Sequence, residues 1–198
     1  MNERKLLDYF FELNKIKDVK RYKLHHAVFA ESVADHCFSM ILIAVKFIEE
    51  LKLDLDFKKV VKLISYHDIC ELGLEEDFDA VKAQYDAGYN LTKKAYEQKN
   101  ITELSKKYGK EIYELFDEFE KQETREAKFV KAIDRLETTI HEIIRGVEFF
   151  TNLDFCVFYP QKAVENFPEL KAFYRELLEC MKLEYVKAGY EWKKEYEM

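Results

Sequence analysis

The sequence predicts an all-α fold, and three observations carry that prediction. Five glycines and two prolines in 198 residues leave few positions able to punctuate a many-stranded sheet. Charged residues make up 36% of the chain and hydrophobic residues 48%, a composition that favours helix. Apolar residues also recur at the helical period of about 3.6 through most of the chain. At this length the expectation is one domain over 1–198, with a helical-bundle core over about 5–150 and a C-terminal helical extension over 151–198.

A formal net charge of −7 and a pI near 5.4 argue against a surface built for nucleic-acid polymers or anionic membranes, while leaving room for a local basic pocket. The apolar residues after Met1 are interrupted by Asp8, Glu12 and Asn14, unlike the core of a signal peptide. No segment approaches the run needed to cross a bilayer. Cys37, Cys70, Cys156 and Cys180 are far apart and form no Cys-x-x-Cys pair. Free thiols in a reduced cytoplasm suit them, so the expectation is a soluble cytoplasmic protein without a membrane partner.

Taken in order, residues 3–16 read as a first helix with Leu6, Leu7, Phe10, Phe11 and Leu13 as its core stripe. Lys17 to Ala30 breaks the pattern and reads as a basic, aromatic loop containing Arg21, Tyr22, His25 and His26. Ser32 and Asp35 have the spacing of a capping box. The helix they open carries Val33, Cys37, Met40, Ile41, Ala44, Phe47 and Ile48, with His36 beside that stripe. Asp54 or Asp56 starts a third helix through Phe57, Val60, Val61 and Ile64 into His67-Asp68, with Gly73 placed to stop it.

An acidic loop of Glu75, Glu76, Asp77 and Asp79 follows, then a weakly patterned helical stretch over 80–98. Ile101 to Lys107 reads as a short helix ending near Gly109, and Glu111 to Lys121 as another with Ile112, Leu115, Phe116 and Phe119 inward. Thr124 caps a long helix to about Phe150, whose inner face reads Val130, Ile133, Asp134, Ile140, Ile144 and Val147. Thr151 to Lys162 is irregular, with Cys156 to Tyr159 strand-like up to Pro160. Pro168 begins the last long helix, with Leu170, Tyr174, Leu177, Leu178, Met181 and Tyr185 inward. Phe155, Phe158, Tyr159, Phe167 and Tyr190 are candidates either for the core or for a contact with a second copy.

Four polar residues sit on or beside apolar helical faces. Val60, Val61, Ile64, His67, Asp68 and Glu71 share one broad helical face, so the polar trio points where core is expected. An Asp there is costly without a cation or a strong donor, although a satisfied core His-Asp pair also meets the need. His36 on the second helix and Asp134 on the long helix raise the same question. His141, two turns beyond Asp134, reads either as a packed histidine or as a neighbour supporting the set.

His36, the His67-Asp68 pair and the distant Asp134 together resemble the HD superfamily, whose signature is a His, a later His-Asp and a far Asp binding a divalent metal in a helical bundle. The flanks Glu31-Ser-Val-Ala-Asp-His36, His67-Asp68-Ile-Cys-Glu71 and Glu123-Thr-Arg-Glu-Ala-Lys-Phe-Val-Lys-Ala-Ile-Asp134, with Arg21 upstream, look like its 5′-deoxynucleotidase branch. The resemblance implies metal ligation by His36, His67, Asp68 and Asp134, catalysis by Glu71, and a phosphate held by Arg21. Where the family has a Gly-Asp pair after the His-Asp-x-x-Glu, this chain has Glu75 and Glu76, with Asp77 next. Where it has a tryptophan after the arginine, this chain has Tyr22. Tyr22 and either Glu76 or Asp77 are the implied further substrate contacts. Related enzymes are typically homodimers.

Two imidazoles and two carboxylates leave coordination positions open on a divalent ion, and mixed N/O donors suit manganese, cobalt, iron, nickel or zinc better than calcium. The expected activity is release of phosphate from nucleoside 5′-monophosphates, deoxy forms first. Its rivals are another phosphoester, such as a cyclic nucleotide or a triphosphate, and a binding module without turnover.

Overall fold

The structure, a computed structural model, describes residues 3–21, 31–146 and 152–197. It is all-α as expected: among the described residues, strand-like pairing is confined to isolated bridges of Lys20 with Ser32 and with Glu76. The helices are α1 (Glu3–Leu13), α2 (Val33–Glu50), α3 (Phe57–Tyr66), α4 (Ala80–Tyr85), α5 (Ala87–Tyr108), α6 (Glu111–Lys121), α7 (Arg125–Arg145), α8 (Leu153–Phe158), α9 (Gln161–Asn166) and α10 (Lys171–Lys187). No described helix is long and apolar enough to cross a membrane.

The helices that hold the polar residues start where the caps dictate. Ser32 and Asp35 form the full capping box of α2, the Asp56 side chain accepts from Lys59 N at α3, and Thr124 accepts from Ala127 N at α7. α7 packs against α2, α3, α6, α9 and α10. Phe129, Val130, Ile133 and Leu136 on it are wholly buried, so its register is fixed by the main core. That core continues through Tyr174, Met181 and Tyr185 of α10 to Tyr196, which binds the structure back to α8 through its hydroxyl on Asp154. A second cluster joins Ile69, Cys70 and Leu72 to Ile101 and Leu104 of α5 and Ile112 and Phe116 of α6.

Several sequence expectations are corrected here. α1 turns Tyr9 and Leu13, with Ile16 beyond its end, toward the second cluster, and leaves Leu6, Leu7, Phe10 and Phe11 exposed. α3 stops at Tyr66, and Asp68 and Glu71 lie on a turn followed by a short 3-10 segment, Ile69–Glu71. Asn100 supplies the reason that irregular backbone is tolerated there, because its amide donates to Cys70 O at 2.5 Å and Leu72 O at 2.8 Å. Gly73, at φ +92°, ends this segment rather than the helix. Phe57 is exposed.

The short helix expected over 101–107 is the end of α5, a single helix whose first part carries a polar rather than an apolar inner face. Cys156 to Tyr159 is helical, because Asn152 caps α8 and a short apolar run fits a buried helix as readily as a strand. Ile144 is exposed, and α7 closes at Gly146, φ +104°. Val147 lies outside the described residues. Of the aromatic candidates, Phe155 and Phe167 are core, while Phe158 and Tyr190 are exposed. The four cysteines are free thiols, Cys70 and Cys156 buried.

Candidate metal centre

Three of the four polar residues meet at one point. One ligand atom each from His36 of α2, His67 at the end of α3 and Asp134 of α7 lie within 4.8 Å of one another, and all three residues are buried. His36 Nε2 is 3.3 Å from Asp134 Oδ1, and the imidazole centroids are 5.6 Å apart. Asp68 stands beside this trio, its Oδ2 3.0 Å from His67 Nε2 and 3.8 Å from Arg21 Nη1.

The far side of each ring fixes what the near side presents. His67 Nδ1 donates to Ile64 O at 2.8 Å, and His36 Nδ1 donates to Glu137 Oε2 at 2.5 Å. With both Nδ1 atoms protonated, both Nε2 atoms carry lone pairs. Neither Nε2 has a hydrogen-bond partner. Two buried lone pairs facing carboxylate oxygens repel, and only a proton or a cation between them removes the repulsion.

The protonation equilibria express the same demand. Burial pushes the His67 imidazole down, yet the Asp68 carboxylate raises it well above its usual value. Burial pushes the Asp134 carboxyl up, but Arg135, the His36 contact and Lys131 hold it well below the usual carboxylate range. The donor set therefore fits a divalent metal that accepts mixed imidazole and carboxylate ligands.

His67, Asp68 and Asp134 open onto a cavity of about 220 Å³ lined also by Arg21, Glu71, Asp77, Lys93, Lys131 and Arg135 among others. Arg21 Nη2 donates to Thr138 Oγ1 at 3.1 Å, and its Nε lies 3.3 Å from Glu31 Oε1, so two elements hold it in place. Glu71 is buried, and desolvation, with Asp77 and Asp68 beside it, raises its carboxyl well above the usual range. Asp77 joins Glu71 in the cavity lining, whereas Glu76 pairs its backbone with Lys20. Tyr22 lies outside the described residues.

Three supporting groups, Lys131, Glu137 and Lys93, escape sequence reading. Lys131 Nζ is 3.7 Å from Asp134 Oδ2 and 4.2 Å from the Phe119 ring centroid. Arg135 Nη1 is 3.8 Å from the same oxygen. Lys131 and Glu137 lie three residues before and after Asp134, so a polar residue on a buried face was the available signal for both. Lys93, 3.9 Å from Asp77 and 3.4 Å from Glu97, carries no such signal, since it sits on the weakly patterned part of α5. His141 supports the set as one of its two readings allows, with Nδ1 3.2 Å from Glu31 Oε2.

The HD-domain family model matches residues 13–167 of the chain. The 5′-deoxynucleotidase HDDC2 of Dictyostelium discoideum is 31% identical over 138 residues, covering 66% of this chain and 72% of that protein. Its human counterpart, also 31% identical, covers 68% and 65%. Among solved structures, a predicted metal-dependent phosphohydrolase from Magnetospirillum magnetotacticum superposes with a TM-score of 0.71 at 21% identity, over 90% of this chain and 92% of that one. A conserved hypothetical protein from Pyrococcus furiosus gives 0.64 at 23% identity, over 86% and 98%. These two show a shared fold.

Replacing Glu137 by Ala removes the acceptor that orients His36, and the expected result is metal affinity lower by about 10–100-fold with the helical spectrum kept. Calorimetric titration with manganese measures this, and unchanged affinity would show that His36 needs no such support. Glu142, buried on the same face of α7, has its carboxyl pushed up to about 8 by desolvation. The unfolded chain loses this proton near pH ~4.3 and the folded chain near 8, so stability falls as pH rises between those values. In denaturant titrations across that window, Glu142→Gln is expected to flatten the fall; an unaltered slope would assign it to other groups.

Proposed function

The chain belongs to the HD-domain family, and on that premise we propose that it is a divalent-metal-dependent phosphohydrolase releasing inorganic phosphate from nucleoside 5′-monophosphates, deoxyribonucleotides first. The observation that carries this reading is the convergence of two imidazole lone pairs and carboxylates at a cavity whose walls carry Arg21, Lys131 and Arg135. His36, His67, Asp68 and Asp134 would hold the metal, with manganese, cobalt, iron, nickel and zinc all suited to the donors. Once bound, a divalent cation supplies Lewis acidity for a phosphoryl group and for water.

The remaining chemistry belongs to the chain. Arg21 offers a planar guanidinium already oriented by Thr138, the geometry that holds a phosphate by paired hydrogen bonds. Lys131 and Arg135 add charge from α7. Glu71, protonated by virtue of its burial beside Asp77, can pass its proton to the leaving 5′-oxygen and recover it from water. Lys93 holds Asp77 near that carboxyl. The names of the curated relatives support the nucleotide substrate, and the deoxy preference rests on them alone. A cytoplasmic homodimer completes the proposal, with the exposed Leu6, Leu7, Phe10 and Phe11 face of α1 as its contact.

Chelated protein resupplied with single metals should release phosphate from deoxynucleoside 5′-monophosphates faster than from ribonucleotides, and from neither without metal. Asp68→Ala should abolish turnover with the fold kept. Glu71→Gln should retain metal while kcat drops about 10²–10⁴-fold. A metal-loaded Asp68→Ala enzyme of full activity would overturn the assignment. For the assembly, light scattering should return twice the 23.8 kDa chain mass and Phe11→Glu should halve it; a monomeric parent would end that part of the proposal.

A further inference from the structure

We propose that a second chamber adjoining the metal cavity is the nucleobase subsite of the same active site, an inference that rests on the nucleotide reading above. This chamber, of about 320 Å³, shares Lys131, Arg135, Phe155 and Tyr159 with the metal cavity. The two spaces are therefore compartments of one groove, and the shared residues form the neck between them.

The neck carries a stack of planar groups. The Arg135 guanidinium carbon lies 4.0 Å from the Tyr159 ring centroid, and Tyr159 in turn packs on Phe155 at 4.3 Å. The same guanidinium is 3.8 Å from Asp134 Oδ2, so this stack begins beside a metal ligand and leads away from it. A nucleotide whose phosphate lies at the metal projects its sugar and base outward by one short step, onto that surface. Aromatic rings and arginine planes are the groups on which bases stack whatever their identity.

The far wall has matching chemistry. Gln84 at the end of α4, Gln122 after α6 and Asn166 at the end of α9 line the second chamber. None of the three side chains hydrogen-bonds to another described residue. Each carboxamide presents a donor edge and an acceptor, so three of them meet the polar edge of any base without demanding one pattern. The metal cavity is a poor alternative, because Asp77, Lys93 and Glu97 would desolvate against a neutral ring. The reading thus assigns phosphate to the compartment of the metal-site residues and base to the one the three amides line together with Asp154 and Lys162, with discrimination against base-free phosphates and tolerance among bases.

Two substrates with the same reacting phosphate and sugar separate the compartments: a deoxynucleoside 5′-monophosphate and 2-deoxyribose 5-phosphate. In the parent enzyme kcat/KM should favour the nucleotide about tenfold, the gain expected of one stacked base. Tyr159→Leu, and independently the surface double variant Gln84→Ala with Asn166→Ala, should raise KM for the nucleotide about tenfold toward the sugar phosphate's. Kinetics on the sugar phosphate should stay at the parent value. The double variant changes no core residue, so the test survives if Tyr159→Leu fails to fold. A parent without nucleotide advantage, or one that persists in both variants, overturns the subsite while leaving a nucleotidase. Turnover of the sugar phosphate with none of the nucleotide overturns both.

Discussion

The structure depends on keeping two buried imidazole nitrogens and an aspartate oxygen pointed at one another. Left alone, that arrangement is repulsive, and each element around it can be understood as resisting escape. Ile64 O and Glu137 take the rear N–H of each ring, which forbids the tautomers that would relieve the front. α7 cannot rotate Asp134 away, because Val130, Ile133 and Leu136 around it are locked in the main core. The capping box of α2 sets His36 one turn into its helix, so the cap is part of the site's geometry as well as of the helix's stability.

Legibility in the sequence followed chemistry that is local in the chain. Caps, the α6 and α10 stripes, and the placement of His36, His67 and Asp134 on inward faces are all decided within a turn or two of helix, and these were readable. The early end of α3 was not, because it is stabilised by Asn100, a residue on another helix whose amide is spent on two loop carbonyls. α5 was misread for a related reason. Its inner face over Asn90, Lys93 and Glu97 borders a cavity instead of a core, so the usual apolar signal is absent where the helix matters most. On α1 a strong apolar stripe misled in the opposite sense, since apolar pattern reports what wants cover and not which surface covers it.

Asp134 and Glu71, two carboxyls of one cavity, are divided by environment rather than by type. Asp134 is held ionised by Arg135, His36 and Lys131 against its burial. Burial, with Asp77 and Asp68 beside it and Lys93 opposing, raises the Glu71 carboxyl well above its usual range. On the proposed reading, one carboxyl would thereby serve ligation and the other proton transfer within a single cavity, the way acid and base roles are separated at neutral pH. The sequence placed both on inward faces; only three-dimensional neighbours tell them apart.

Charge balance then links metal and substrate. The chain is net negative, and the acids lining the cavity oppose a phosphate dianion on their own, even with Arg21, Lys131, Arg135 and Lys93 present. Each of those cations already faces an aspartate or glutamate within 4 Å: Arg21 with Glu31, Lys131 and Arg135 with Asp134, and Lys93 with Glu97. Their charge is largely committed, and it is worth more in this desolvated setting than at the surface only if a matching anion arrives. On the proposed reading, a divalent cation held by the histidines would supply the missing two charges and so offset those of a phosphate dianion in the cavity. Phosphate affinity would in this way be conditional on the metal, which is how a net-negative protein could hold an anionic substrate without a basic surface.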